Sequence, residues 1–175
     1  MLGEKTKKNL EAAFAGESMA RNKYTYFAKV AREAGYIQVA NVFEETANHE
    51  KEHAKLWAKK LELIGGIEEV LQAAIAGEHH EIEEMYPQMA KEAKEEGHND
   101  IAFLFEKVAE AEKMHRERYK KLLDNIQKEQ VFKRDEQKEW KCGNCGYIHT
   151  GEDAPVRCPA CAHEQKYFEL FAENY

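Results

Sequence analysis

The sequence predicts an all-α four-helix bundle followed by a small four-cysteine metal domain. Apolar residues recur at helical spacing in four long stretches. Charged residues make up 34% of the chain, against only 10 Gly and 3 Pro. All four cysteines fall between positions 142 and 161. Long helices with charged outer faces accommodate that composition, whereas a sheet protein needs more turn residues. A chain of 175 residues has room for one medium domain and an appendage.

The first helix is expected from about Thr6 to Ala34, where Leu10, Phe14, Ala20, Tyr24, Phe27 and Ala31 share a face before Gly35. The second runs from about Ile37 to Ile64 and ends at Gly65-Gly66. The third runs from about Ile67 to Glu96, with Pro87 inside it and Gly97 after it. The fourth runs from about Asp100 to Ile126. Each would be roughly 40 Å long at 1.5 Å per residue. Polar sequence without a period follows, giving a predicted division into 1–130 (bundle), 131–139 (linker) and 140–175 (metal module).

The helical half repeats itself. Ala12-Ala13-Phe14-Ala15-Gly16-Glu17 matches Ala73-Ala74-Ile75-Ala76-Gly77-Glu78 at an offset of 61. Beyond that the offset is 62, pairing Tyr24 with Tyr86, Phe43-Glu44 with Phe105-Glu106, Glu50 with Glu112 and His53 with His115. One residue has been gained between Glu78 and Tyr86, so a bulge or kink is expected there. Two helical hairpins related by a pseudo-twofold axis follow from the repeat.

The repeat also carries a chemical pattern: Glu17 with Glu50-x-x-His53, and Glu78 with Glu112-x-x-His115. Residues three apart share a helix face, so each Glu-x-x-His can address one point. One Glu from each of two helices and Glu-x-x-His from each of the other two is the ligand set of di-iron carboxylate bundles. A lone Glu-x-x-His on a charged helix is ordinarily solvated surface. Two in register, on helices that also carry core-type residues, are costly to bury unless they coordinate metal. Glu81, three residues after Glu78, adds a fifth carboxylate where the first repeat has Ala20, and should favour the oxidised pair. Tyr24 and Tyr86, two turns beyond Glu17 and Glu78, are placed either to hydrogen-bond ligand carboxylates or to serve as plain core aromatics.

Cys142-Gly143-Asn144-Cys145 and Cys158-Pro159-Ala160-Cys161 form two knuckles able to offer four thiolates to one ion. Iron and zinc both accept that set. Trp140, Tyr147, Tyr167, Phe168 and Phe171 are the expected aromatic core of the module. The net charge of −7 argues against nucleic acid as a partner. No stretch approaches the 18 or so apolar residues of a membrane span. The N-terminus shows no secretory signal and the cysteines are clustered, so a cytoplasmic location is expected. His49, His79, His80, His98, His149 and His163 lack a histidine counterpart in the repeat and read as solvated.

Taken together, Phe14-Ala15-Gly16-Glu17-Ser18, Glu50-Lys51-Glu52-His53, Ala76-Gly77-Glu78-His79-His80-Glu81 and Glu84-Met85-Tyr86-Pro87 resemble rubrerythrin. The Trp140–Tyr147 stretch with Cys158-Pro159-Ala160-Cys161 resembles rubredoxin. The resemblance covers the whole length. It implies a ferritin-like bundle with a non-haem di-iron site and peroxidase activity in oxidative-stress defence. By matching positions, Glu17, Glu50, Glu78, Glu81, Glu112 and His115 would be iron ligands, with His53 exchanging with Glu81 on reduction. Tyr24 and Tyr86 would support them, and Cys142, Cys145, Cys158 and Cys161 would hold a third iron. The resemblance also implies a homodimer. The connection around Gly65-Gly66 is shorter than in some relatives.

The expected reaction is reduction of hydrogen peroxide to water. Two ferrous ions supply the two electrons needed to split an O–O bond, and the thiolate-bound iron returns them singly. With no Gly-x-Gly-x-x-Gly for a nicotinamide or flavin, electrons must come from NADH through an external donor such as a rubredoxin reductase or rubredoxin. The rival readings are a ferroxidase, which needs no electron feed, and a zinc-stabilised scaffold without catalysis.

Overall fold

The computed structural model describes residues 2–174, and the chain divides into two compact units, Met1–Gly66 and Ile67–Tyr175. The first unit is a helical hairpin of α1 (Glu4–Glu33) and α2 (Ile37–Lys60). The turn between them closes on Gly35 at φ 83°, with Tyr36 N–H donating to Ala31 O at 2.9 Å. Positive φ costs Gly nothing, which is why α1 stops there. Ala28, Ala31, Ala40, Ala47, Ala54 and Ala58 are the buried residues of the two helices. Such small side chains let the helices pack closely.

The second unit holds the other hairpin and the sheet. Its first limb is α3 (Ile67–His80), a π-helical turn (Glu81–Met85) and α4 (Tyr86–Glu95); its second is α5 (Asn99–Gln127). The four helices expected from the sequence are therefore present, the third one interrupted. The interruption falls where the repeat gains its residue. Tyr86 N–H donates to Glu81 O, five residues back, which is how a π turn absorbs an insertion. Elsewhere the hairpins match closely. Gly97 (φ 86°) answers Gly35. Buried Ala90, Ala93 and Ala102 answer Ala28, Ala31 and Ala40. The interhelical pair Lys94–Glu106 answers Arg32–Glu44. Tyr86–Phe105 answers Tyr24–Phe43, each with ring centroids 6.0 Å apart.

The C-terminal part is a three-stranded antiparallel sheet in the order β2-β1-β3, with β1 (Lys133–Cys142), β2 (Ile148–Asp153) and β3 (Phe168–Leu170). Residues 133–139, expected as linker, are thus the first part of the central strand. That part covers no core and lies largely exposed, so it lacks the alternating pattern that betrays a strand. The module's core is Trp140, Cys142, Ala154, Cys158 and Phe168, with Phe132 packed against it. Trp140 is fully buried and its indole N–H donates to Gly151 O at 3.0 Å. Tyr147 and Tyr167, expected in this core, are exposed instead. A phenol needs a polar partner when buried, and Tyr167 lies edge-on to His163 at the surface.

Candidate metal centres

In the first hairpin, mid-helix positions of α1 and α2 bring together Glu17, Glu50 and His53. His53 Nδ1 lies 2.9 Å from Glu50 Oε2 and 3.7 Å from Glu17 Oε2. In the second, α3 and α5 bring together Glu78, Glu112 and His115. Here His115 Nδ1 lies 2.5 Å from Glu112 Oε2 and 3.8 Å from Glu78 Oε1. The two triads are near copies, in geometry as in sequence. In both, the carboxylates are tucked in (Glu50 17% and Glu112 15% exposed) while the imidazoles stand half exposed (51% and 47%). Glu81 lies in the π turn, one helical turn beyond Glu78 and half-buried. Tyr24 and Tyr86 are half-buried further along the same limbs.

The four cysteines converge. Cys142 Sγ and Cys161 Sγ are 3.8 Å apart, and Cys145 Sγ and Cys158 Sγ 3.6 Å. A tetrahedral ion bound at about 2.3 Å needs sulfurs about 3.8 Å apart, so the cage has the right size. Each knuckle closes alike: Gly146 N–H donates to Cys142 O and Ala162 N–H to Cys158 O, both at 2.8 Å.

A family model described as "Rubrerythrin" matches residues 8–123, and one described as "Rubrerythrin, rubredoxin-like domain" matches residues 140–169. The chain belongs to the rubrerythrin family. It is 46% identical to the rubrerythrin of Clostridium perfringens, over 99% of this chain and 97% of that one. It is 44% identical to the rubrerythrin of Nitratidesulfovibrio vulgaris, again over 99% and 97%. A solved structure of nigerythrin in a mixed-valence state is 36% identical over 98% of this chain and 88% of that one, with a TM-score of 0.37. As a member of the family, the chain is an iron-binding oxidoreductase of the ferritin-like, di-iron kind with a rubredoxin-like domain.

The donor sets fit those metals. In the first triad a hydrogen bond to Glu50, then burial, raise the Glu17 carboxyl above its usual range. The same hydrogen bond and that of His53 lower Glu50. The two carboxyls are thus pushed apart, Glu17 up and Glu50 down. In the second triad burial comes first, then the hydrogen bond and charge of Glu112, and Glu78 is raised. Glu78 Oε2 is buried without a hydrogen-bond partner. An orphaned carboxylate oxygen beside two like-charged neighbours is costly unless it faces a cation or takes a proton. Tyr86 is raised by burial and by the charges of Glu81, Glu112 and Glu78, so its phenol stays protonated. Among the thiols, the backbone N–H of His163 lowers Cys161 to about 6. At Cys145 the Tyr147 backbone N–H lowers the thiol, but Cys161, burial, Cys158 and Cys142 outweigh it and push the group up to about 12. Four thiols crowded so closely release their protons together only to a metal.

Sequence reasoning passed over Arg116. Its Nη1 lies 3.2 Å from Glu83 Oε1 and 3.0 Å from His79 Nδ1. His79, read from sequence as merely solvated, is therefore engaged. An Arg beside a Glu-x-x-His motif is a common surface residue, and only the fold shows that it reaches across to the π turn. Among the described residues, no helix is long and apolar enough to cross a membrane.

Proposed function

We propose that this chain reduces hydrogen peroxide to water, using the two Glu/His triads for iron and the four-cysteine site as its electron relay. The observation carrying this reading is that both parts occur in one chain: a duplicated carboxylate–imidazole set and a thiolate cage sized for a single ion. A protein that only oxidised and passed on iron would have no use for the second.

The residues that would hold the iron pair are Glu17, Glu50, Glu78, Glu81, Glu112 and His115, with His53 a ligand of the reduced pair, and Cys142, Cys145, Cys158 and Cys161 would hold the third iron. The di-iron group, when bound, supplies two electrons and Lewis-acid polarisation of the O–O bond. The remaining work falls to the chain. The raised Glu17 carboxyl takes a proton more readily than a free one, so metal loading should weaken as pH falls. Tyr86 keeps its proton on Oη and is a hydrogen-bond donor toward the carboxylates around it. Two protons and two electrons turn one peroxide into two waters. Electrons reach the cysteine site from an external, NADH-linked donor of the rubredoxin or rubredoxin reductase type. The protein is assigned to the cytoplasm as a homodimer.

The test is anaerobic. The fully reduced, iron-loaded protein is mixed with stoichiometric peroxide, and iron oxidation is followed alongside metal content. Fast consumption of peroxide, with bleaching and recovery of the cysteine-site colour under a reductant, supports the reading. Slow reaction with peroxide but fast reaction with dioxygen would transfer the chain to iron oxidation. A colourless, zinc-filled cysteine site in cells would remove the relay. Cys158→Ser should stop repeated turnover while leaving a single turnover of pre-reduced protein intact.

A further inference from the structure

The two hairpins differ at one place, and three differences coincide there. The second has the extra residue, absorbed in the π turn Glu81–Met85. It has Glu81 where the first has Ala20. It also has Arg116 where the repeat offset of 62 puts buried Ala54. The uninterrupted α1 packs on that alanine, whereas the interrupted limb is met by a guanidinium.

Arg116 is largely buried, at 17% exposure of its side chain. Its Nη1 reaches His79 Nδ1, on the last turn of α3, and Glu83 Oε1, inside the π turn. His79 and Glu83 are themselves four residues apart, with Nδ1 and Oε1 separated by 4.0 Å. One side chain of α5 thus grips the limb just before the insertion and again within it. Glu81 lies between those two points in the chain, about half a helical turn round from them, so the grip is on the side away from it. A third partner, Glu117 Oε1 at 3.3 Å from Nε, holds the guanidinium from its own helix. Arg116 touches His79 and Glu83 rather than Glu78, so it reaches the triad through the limb that carries both.

We infer that Arg116 is a positioning residue that clamps the π turn through Glu83 and His79 and so holds Glu81 on the metal side of the limb. A π turn is less stable than the α-helix around it and needs such a brace to stay in one register. The guanidinium meets the limb with Nη1 while Nε holds Glu117, a division the single ammonium of Lys cannot make. The role of Glu81 as a ligand is part of the function proposed above, whereas the clamp is a property of the chain alone.

The two are separated by one experiment on the full-length protein with its cysteine-site iron in place. Amide hydrogen exchange is followed across residues 67–95 before and during anaerobic addition of ferrous ion. Before addition, Arg116→Gln and Glu83→Gln should each speed exchange of residues 81–85 by about tenfold, leaving 67–78 and 90–95 within about twofold. Arg116→Lys should fall between. The double variant should be no faster than Arg116→Gln alone, since Glu83→Gln removes one of the contacts already lost there. During addition, Arg116→Gln should need several times more ferrous ion to protect the segment, with the cysteine-site spectrum unchanged. Unchanged exchange at 81–85, uniform acceleration of the whole hairpin, or additive effects in the double variant would overturn the clamp. If Glu81→Ala leaves the ferrous titration as it is, Glu81 is no ligand and that part of the functional reading fails. The exchange measured before metal addition still decides the role of Arg116.

Discussion

The first hairpin, α1 with α2, and the second, α3 to α5, began as the same object and still share their alanine core, their interhelical ion pair, their tyrosine–phenylalanine contact and their Glu/His triad. They part at a single inserted residue. The first keeps a continuous α1 with Ala20 beside Glu17; the second spends its insertion on a π turn that presents Glu81 beside Glu78. Symmetry suits the holding of two like ions, whereas a redox cycle needs one ion whose surroundings change with its charge. One extra residue and one extra carboxylate are enough to break the symmetry without disturbing the packing on either side.

That contrast sets an order of expected effects. His115→Ala should cost at least about 100-fold in peroxide turnover, whereas His53→Ala, at a residue proposed to bind in the reduced state alone, should cost about tenfold. That difference follows from the proposed assignment of His53 to the reduced state; both are read by stopped-flow with iron content measured, and equal losses would break it. Glu81→Ala should lower turnover by about tenfold and slow the return of the oxidised site. The reciprocal Ala20→Glu, on an unbroken helix, should not compensate for it, and rescue in the double variant would show that the π turn is dispensable.

Stability sharpens the same comparison. Glu78→Gln removes a buried, unpartnered carboxylate oxygen, so the metal-free protein should gain a few degrees in Tm at neutral pH, about 1 kcal/mol, while losing iron. Glu78 is raised by folding, so the wild-type carboxyl binds its proton more tightly folded than unfolded. Its contribution is favourable below the ordinary carboxyl value of 4.5 and is lost as pH rises through the raised folded value. The Tm gain of Glu78→Gln should therefore fade on acidification, and a gain independent of pH would mean that charge is not its cause. Glu17→Gln should behave alike but more weakly, since hydrogen bonding with Glu50 rather than burial is the leading cause of its shift.

The cysteine site repeats the contrast in miniature. The first knuckle closes on Gly146 at φ 78° and the second on Ala162 at φ 60°. The left-handed conformation strains an L-residue, so Ala162→Gly should stabilise the loaded module by up to about 1 kcal/mol in thermal unfolding, with Gly146→Ala costing a similar amount. No difference between the two would mean that the metal, not the backbone, sets the knuckle.

The sequence by itself determined the helices, the repeat, both triads, the four-sulfur site and the position of the insertion. Each is a matter of spacing along one chain, which periodicities of 3.6 and offsets of 61 and 62 expose directly. What it did not show lay in contacts between segments. Residues 133–139 become a strand because β2 pairs with them, not because of any pattern of their own. The aromatic core of the small module narrows to Trp140 and Phe168 once the phenols find water. The reach of Arg116 to Glu83, thirty-three residues away in the chain, exists only after α5 has packed on the π turn. Local spacing fixes which groups share a face, while the partner that face meets is set by packing.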